Sequence, residues 1–220
     1  AGQLKLSAND TESLEIDLSE KNIQDSQLQM IFAVCHPSIP PEAQIGLALR
    51  VLCGFGIGEI ADAFLTNKET INKRLLRAKE KLRAEKIEIQ LPGKQEMSER
   101  LNMVLRTLYL LFNEGYYSSS NNAVLRKDLC AEAIRLTYML VENEETNAPA
   151  ANGLLALMCF QASRFEARTG ADGKIILYDD QDASLWDAEL IARGKSFLNA
   201  ACKSNEVSKY HLEASIAYWH

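Results

Sequence analysis

Between Thr66 and Arg83 the chain reads TNKETINKRLLRAKEKLR, with seven basic side chains against two acidic ones, in a protein whose formal net charge is -6. These residue types have defined chemistry towards nucleic acids. Arginine offers a two-pronged donor to guanine, asparagine a matching donor and acceptor to adenine, and lysine a point charge to phosphate. Within the stretch Ile71, Leu75, Ala78 and Leu82 recur at i, i+4, i+7 and i+11, which predicts a helix with one narrow apolar stripe. Lys68, Glu69, Thr70, Asn72, Lys73, Arg74 and Arg77 fall off that stripe in the first turns, within reach of bases or phosphates. Lys79, Lys81 and Arg83 lie further along, towards a nucleic-acid backbone. The same composition also suits a solvated helix face, or a helix that binds an acidic protein. Charge and periodicity leave all three open.

Other polar clusters are candidates for catalysis. Asn113-Glu114-Gly115-Tyr116-Tyr117 and Asp179-Asp180-Gln181-Asp182, followed by Trp186 and Asp187, contain carboxylates that could serve as acid and base if brought together and partly buried. No nucleophile or phosphate-cradling glycine loop accompanies them. Glu114 and the Asp180–Asp182 loop are therefore expected to anchor helix ends, and the chain is expected to be no enzyme and to need no cofactor. Cys35, Cys53, Cys130, Cys159 and Cys202 lie in apolar helical patterns without a Cys-x-x-Cys pair. Cys35, His36 and Cys53 lack a fourth ligand, so reduced core cysteines are expected rather than a metal site. Tyr109, Phe112, Tyr116, Tyr117 and Tyr138 suit a ligand groove or a plain core. Arg126, Arg135, Arg164 and Arg168 are expected to pair with nearby acids rather than with an acidic partner.

The elements that position these residues are helical. With 47% hydrophobic and 25% charged residues among 220, the chain can bury a substantial core. It shows no apolar run of membrane-spanning length and no signal-peptide pattern, which predicts a cytoplasmic protein with no membrane partner. Residues 1–25 read as an acidic linker carrying Asp10, Glu12, Glu15, Asp17 and Glu20. From Asp25, Leu28, Ile31, Phe32 and Cys35 form one helical face, ended by His36-Pro37. Pro41 then opens a helix carrying Ile45, Leu47, Leu49 and Leu52, and Gly54, Gly56 and Gly58 follow it. A short helix from Gly58 to Phe64 meets the basic helix at a corner of Leu65, Thr66 and Asn67, without the glycine often found in such turns. Thr66 with Glu69 matches a capping box, and Asn67 is a rival cap.

Pro92-Gly93 marks a boundary, giving units of 26–88 and 89–220. Beyond it four helices are predicted around Leu101–Phe112, Leu129–Leu140, Leu154–Phe160 and Leu190–Leu198, with a brief β-like run and acidic loop between Gly170 and Asp182. The last segment, HLEASIAYWH, reads as a helix without a cap, as in a fragment. The expected fold is all-α: a four-helix unit with a helix-turn-helix, followed by an array of helical hairpins.

The run PEAQIGLALRVLCGFGIGEIADAFLTNKETINKRLLRAKEKLR, residues 41–83, resembles region four of extracytoplasmic-function sigma factors. The matching residues are Glu59-Ile60-Ala61 and Arg74-Leu75-Leu76-Arg77-Ala78-Lys79. CHPSIPPEAQ, LYLLFNEGYYSS, RKDLCAEAIRL, GLLALM, ARTGADGKIILYDDQD and SLWD resemble the subgroup in which a tetratricopeptide-like extension follows, so the resemblance covers about residues 27–220. It implies that Lys68 to Arg77 read the minus-thirty-five promoter element. It also implies that the apolar surface of the earlier helices meets the β-flap of RNA polymerase core, and that the extension regulates or binds a regulatory protein. Region two, which opens the promoter, has no counterpart in these residues. The alternative is a helical scaffold whose basic helix binds an acidic partner.

Overall fold

The computed structural model describes residues 20–117, 125–170 and 175–219. The fold is all-α. Ten helices occur among the described residues: α1 (Glu20–Val34), α2 (Pro41–Val51), α3 (Ile57–Ala63), α4 (Lys68–Ala84), α5 (Met97–Tyr116), α6 (Lys127–Glu142), α7 (Pro149–Ala162), α8 (Phe165–Arg168), α9 (Ala188–Ala201) and α10 (Lys209–Trp219). Helix α1 starts inside the segment expected to be a linker, and residues 1–19 of that segment lie outside the described residues. The β-like run reduces to an isolated bridge between Thr169 and Ile175 and two single 3-10 turns, Tyr178–Asp180 and Ala183–Leu185, with 171–174 outside the described residues. Among the described residues no helix is long and apolar enough to cross a membrane.

The apolar stripes read from the sequence face inwards. Leu28, Ile31 and Phe32 of α1, Leu47 and Leu49 of α2, Ile60 of α3 and Ile71 and Leu75 of α4 are all buried. They share one continuous core with Val104, Leu105, Leu108, Leu111 and Phe112 of α5, Leu129, Leu136 and Leu140 of α6, and Leu154 and Met158 of α7. The first four helices do not close a core of their own, because the sides of α1 and α2 turned from α4 need α5 to exclude water. Helix α7 is apolar almost all round and is buried almost throughout, against α6 on one side and α9 and α10 on the other. A second, smaller core of Ala156, Leu157, Phe160 and Ala214, flanked by Ile191, Phe197 and Leu198, closes that end.

Polar bonds reinforce the joint across the Pro92-Gly93 turn. The Gln44 amide group donates to the carbonyls of His36 and Ile39 and accepts from the buried Thr107 hydroxyl at 2.8 Å, joining α2 to α5. Arg100 donates to the Phe32 carbonyl at 2.7 Å, and Arg135 of α6 donates to Gln27 of α1 and to the Leu52 carbonyl. The apolar surface of α1 and α2, expected to be offered to a polymerase subunit, is thus covered by α5 and α6.

A candidate nucleic-acid interface on α4

Three local devices fix the orientation of α4. The Glu59 carboxylate accepts from the Gly56 amide at 2.6 Å and starts α3, whose Ile60, Ala61 and Ala63 are buried. The chain then turns through Leu65, which takes a left-handed conformation (φ 49°), and the Thr66 amide bonds back to the Ala61 carbonyl at 2.9 Å. Finally the Asn67 side chain accepts from the Thr70 amide at 2.8 Å and caps α4. The Thr66–Glu69 capping box is therefore not the one that forms. Asn67, extended at φ −99° and ψ 158°, is one residue nearer the first helical turn, and Glu69 instead pairs with Lys73 at 2.6 Å.

Helix α4 buries Ile71, Leu75 and Ala78 against the rest of the molecule and leaves its other sides in solvent. Lys68, Glu69, Asn72, Lys73, Arg77, Lys79 and Lys81 are exposed, while Thr70 and Arg74 are half-buried. The predicted residues thus come together on one helix, but they divide between two flanks. On one flank Thr70, Lys73, Arg74, Arg77 and Lys81 face Ser38, Ile39, Pro40, Glu42 and Ala43 across a cleft of about 590 Å³. On the other, Lys68 reaches back over Gly58, and Asn72, Lys79 and Arg83 follow along the helix.

Local acids neutralise little of this charge. Lys73 pairs with Glu69, and Lys81 with Glu85 at 2.7 Å, both as i,i+4 bridges in solvent. The bridge and a Ser38 hydrogen bond hold the Glu85 carboxyl below the usual range, so it stays ionised at neutral pH. Exposed pairs of this kind contribute little to stability, so phosphate can replace the carboxylate. Arg74 lies over the Phe64 ring with its guanidinium carbon 5.7 Å from the centroid. No described carboxylate pairs with Lys68, Arg77, Lys79 or Arg83. A rigid cylinder with cations on both flanks matches the major groove, whose floor exposes base edges and whose two walls are phosphate.

The sequence did not single out the loop and first turn of α2, Ser38 to Ala43, as the opposite wall of the cleft. Pro41 at the first helical position was the available signal, because it marks a helix N-terminus and hence a partially positive end.

The residues of the other clusters make contacts within the fold. Gly115 sits where α5 crosses the start of α6: its carbonyl accepts from the Arg126 amide, and a Cβ there would lie 2.8 Å from the Arg126 carbonyl oxygen. Burial pushes the half-buried Glu114 carboxyl up, yet no hydrogen bond or ion pair joins it to Asp179, Asp180 or Asp182. Asp182 and Asp187 cap the next turns by accepting from the amides of Ser184 and Leu190. Arg126 pairs with Asp128 and Arg135 with Glu132. Arg164 and Arg168 instead stack on aromatic rings, Arg164 over Tyr178 and Trp186, and Arg168 over Tyr116 and Tyr117. Phe112 and Tyr116 are core, Tyr109 is half-buried, and Tyr117 and Tyr138 are exposed. Cys35, Cys53, Cys130 and Cys159 have thiols pushed up to about 12, chiefly by burial. Among the described residues no group of three metal-ligating side chains converges.

Two comparisons with known proteins find matches, one over the second half of the chain and one over nearly all of it. Residues 100–202, from early α5 to the end of α9, match a family described as "Family of unknown function (DUF6596)". An uncharacterized protein of Rhizobium meliloti (strain 1021) is 33% identical over 216 residues, covering 96% of this chain and 51% of that protein. The chain thus spans about half the length of that curated relative. No solved structure matches.

Proposed function

We propose that the chain is a DNA-binding portion of a transcription initiation factor of the extracytoplasmic-function sigma type. In this reading α3 and α4 form a helix-turn-helix and α4 enters the major groove of the minus-thirty-five element. Helices α5 to α10 are a tetratricopeptide-like regulatory extension, and the site of action is the cytoplasm. The observation that carries the reading is the arrangement of α4, with an anchored apolar stripe, two exposed cationic flanks and a fixed corner. The resemblance of residues 41–83 to sigma region four supports the same assignment. Docking on the polymerase β-flap through α1 and α2 would require α5 to leave the apolar surface it covers, which couples polymerase binding to the position of the extension.

Affinity for promoter DNA measured across several salt concentrations, alone and with core polymerase, tests the proposal. Each phosphate contact adds about 0.9 to the slope of log affinity against log salt, so a steep fall is expected. Arg77→Ala should weaken binding across sequences and lower the slope by about 1. Binding that ignores salt, or is undetectable in both settings, contradicts the assignment. Crosslinking in cell extract that captures an acidic protein, with no polymerase β subunit, would favour the scaffold alternative.

A further inference from the structure

Leu76 is the exposed large apolar residue of α4, and the charge argument does not explain it. It is 56% exposed and joins neither core. Its neighbours one turn away on the helix are Asn72, Lys73, Lys79 and Glu80, so a large apolar side chain stands among charged and polar ones, facing away from Ile71 and Ala78. An apolar protein partner covering it would also have to strip water from Lys73 and Lys79, which is unfavourable without matching acids. A duplex offers both environments at once, with phosphates along the walls and one apolar group on the floor of the major groove, the thymine 5-methyl.

We propose that Leu76 reads thymine, packing against the 5-methyl group of one base in the recognised site. The inference rests on the DNA-binding reading and adds a base preference to it. Four residues of helix rise about 6 Å, close to two base steps of about 3.4 Å. The thymine therefore lies about two steps from the base contacted by Asn72, for which adenine is the matching partner.

The test selects duplexes from a random pool with the full chain, then measures affinity for the enriched duplex with each thymine in turn replaced by deoxyuridine. That exchange removes only the methyl group and leaves the protein untouched. One replacement should weaken binding about fourfold, the loss for one buried methyl-sized group. Leu76→Ala, at an exposed position that the fold does not use, should bind the thymine and uracil forms of that duplex equally. Enrichment with salt-dependent affinity, but no methyl effect at any thymine or the same discrimination by Leu76→Ala, overturns this inference and leaves DNA binding standing. A pool that shows neither enrichment nor salt-dependent binding overturns both.

Discussion

At residue 65 a leucine occupies the place that glycine would take without strain. Leu65 turns the chain from α3 into α4 at φ 49°, and its side chain is 61% exposed. The left-handed conformation costs a residue with a Cβ about 1–2 kcal/mol, partly offset by the freedom glycine loses on folding. Leu65→Gly should therefore raise the melting temperature by about 2 °C, as read by circular dichroism. An unchanged or lowered value would mean that the leucine contributes packing not evident from its exposure. The corner itself was legible in the sequence, through Thr66-Asn67 and the start of the basic run. Its cap was legible only as two rivals. Thr66 and Asn67 can both accept at an N-cap, Asn being somewhat the better, and the choice also depends on where the backbone leaves the extended region.

At the level of elements, the helical spacing of apolar residues identified α1, α2, α4, α5 and α6 because each buries a stripe whose period is that of a helix, whereas α7 was legible as a nearly continuous apolar run. What each stripe packs against was not legible. The stripe of α1 and α2 suits a polymerase subunit as well as it suits α5, since apolar surface carries no address. Partner choice is fixed instead by single polar matches such as Gln44 with Thr107, which lie 63 residues apart. Replacing Thr107 by valine keeps the shape and removes the donor, leaving the buried Gln44 oxygen without its partner. The expected loss is about 1–3 kcal/mol, seen as a fall of several degrees in melting temperature. A neutral Thr107→Val would show that water reaches the joint between α2 and α5. The acidic DQD loop follows the same logic. Its carboxylates looked like catalytic candidates by type, but Asp182 caps a turn and Arg164 holds the neighbouring Tyr178 and Trp186 through ring stacking.

Across the whole molecule, charge is separated rather than balanced. The chain carries a net charge of -6, yet seven basic residues against two acidic ones lie on α4 alone. In the proposed DNA-binding reading, cations concentrated on one helix of an acidic protein would steer that helix to a polyanion while the rest of the surface repels it. The cationic helix was the most legible part of the site because charge needs no tertiary context to be counted. The wall of the cleft opposite it, Ser38 to Ala43, was hidden because it comes from a separate segment that only folding brings there. The most direct measurement is lysine acylation of the folded chain, read residue by residue by mass spectrometry, with and without duplex DNA. Lys68, Lys73, Lys79 and Lys81 should be protected by the duplex, while Lys195 and Lys209, held over tyrosine rings in the extension, should label at the same rate in both. Equal labelling of the four α4 lysines with and without DNA would contradict the account.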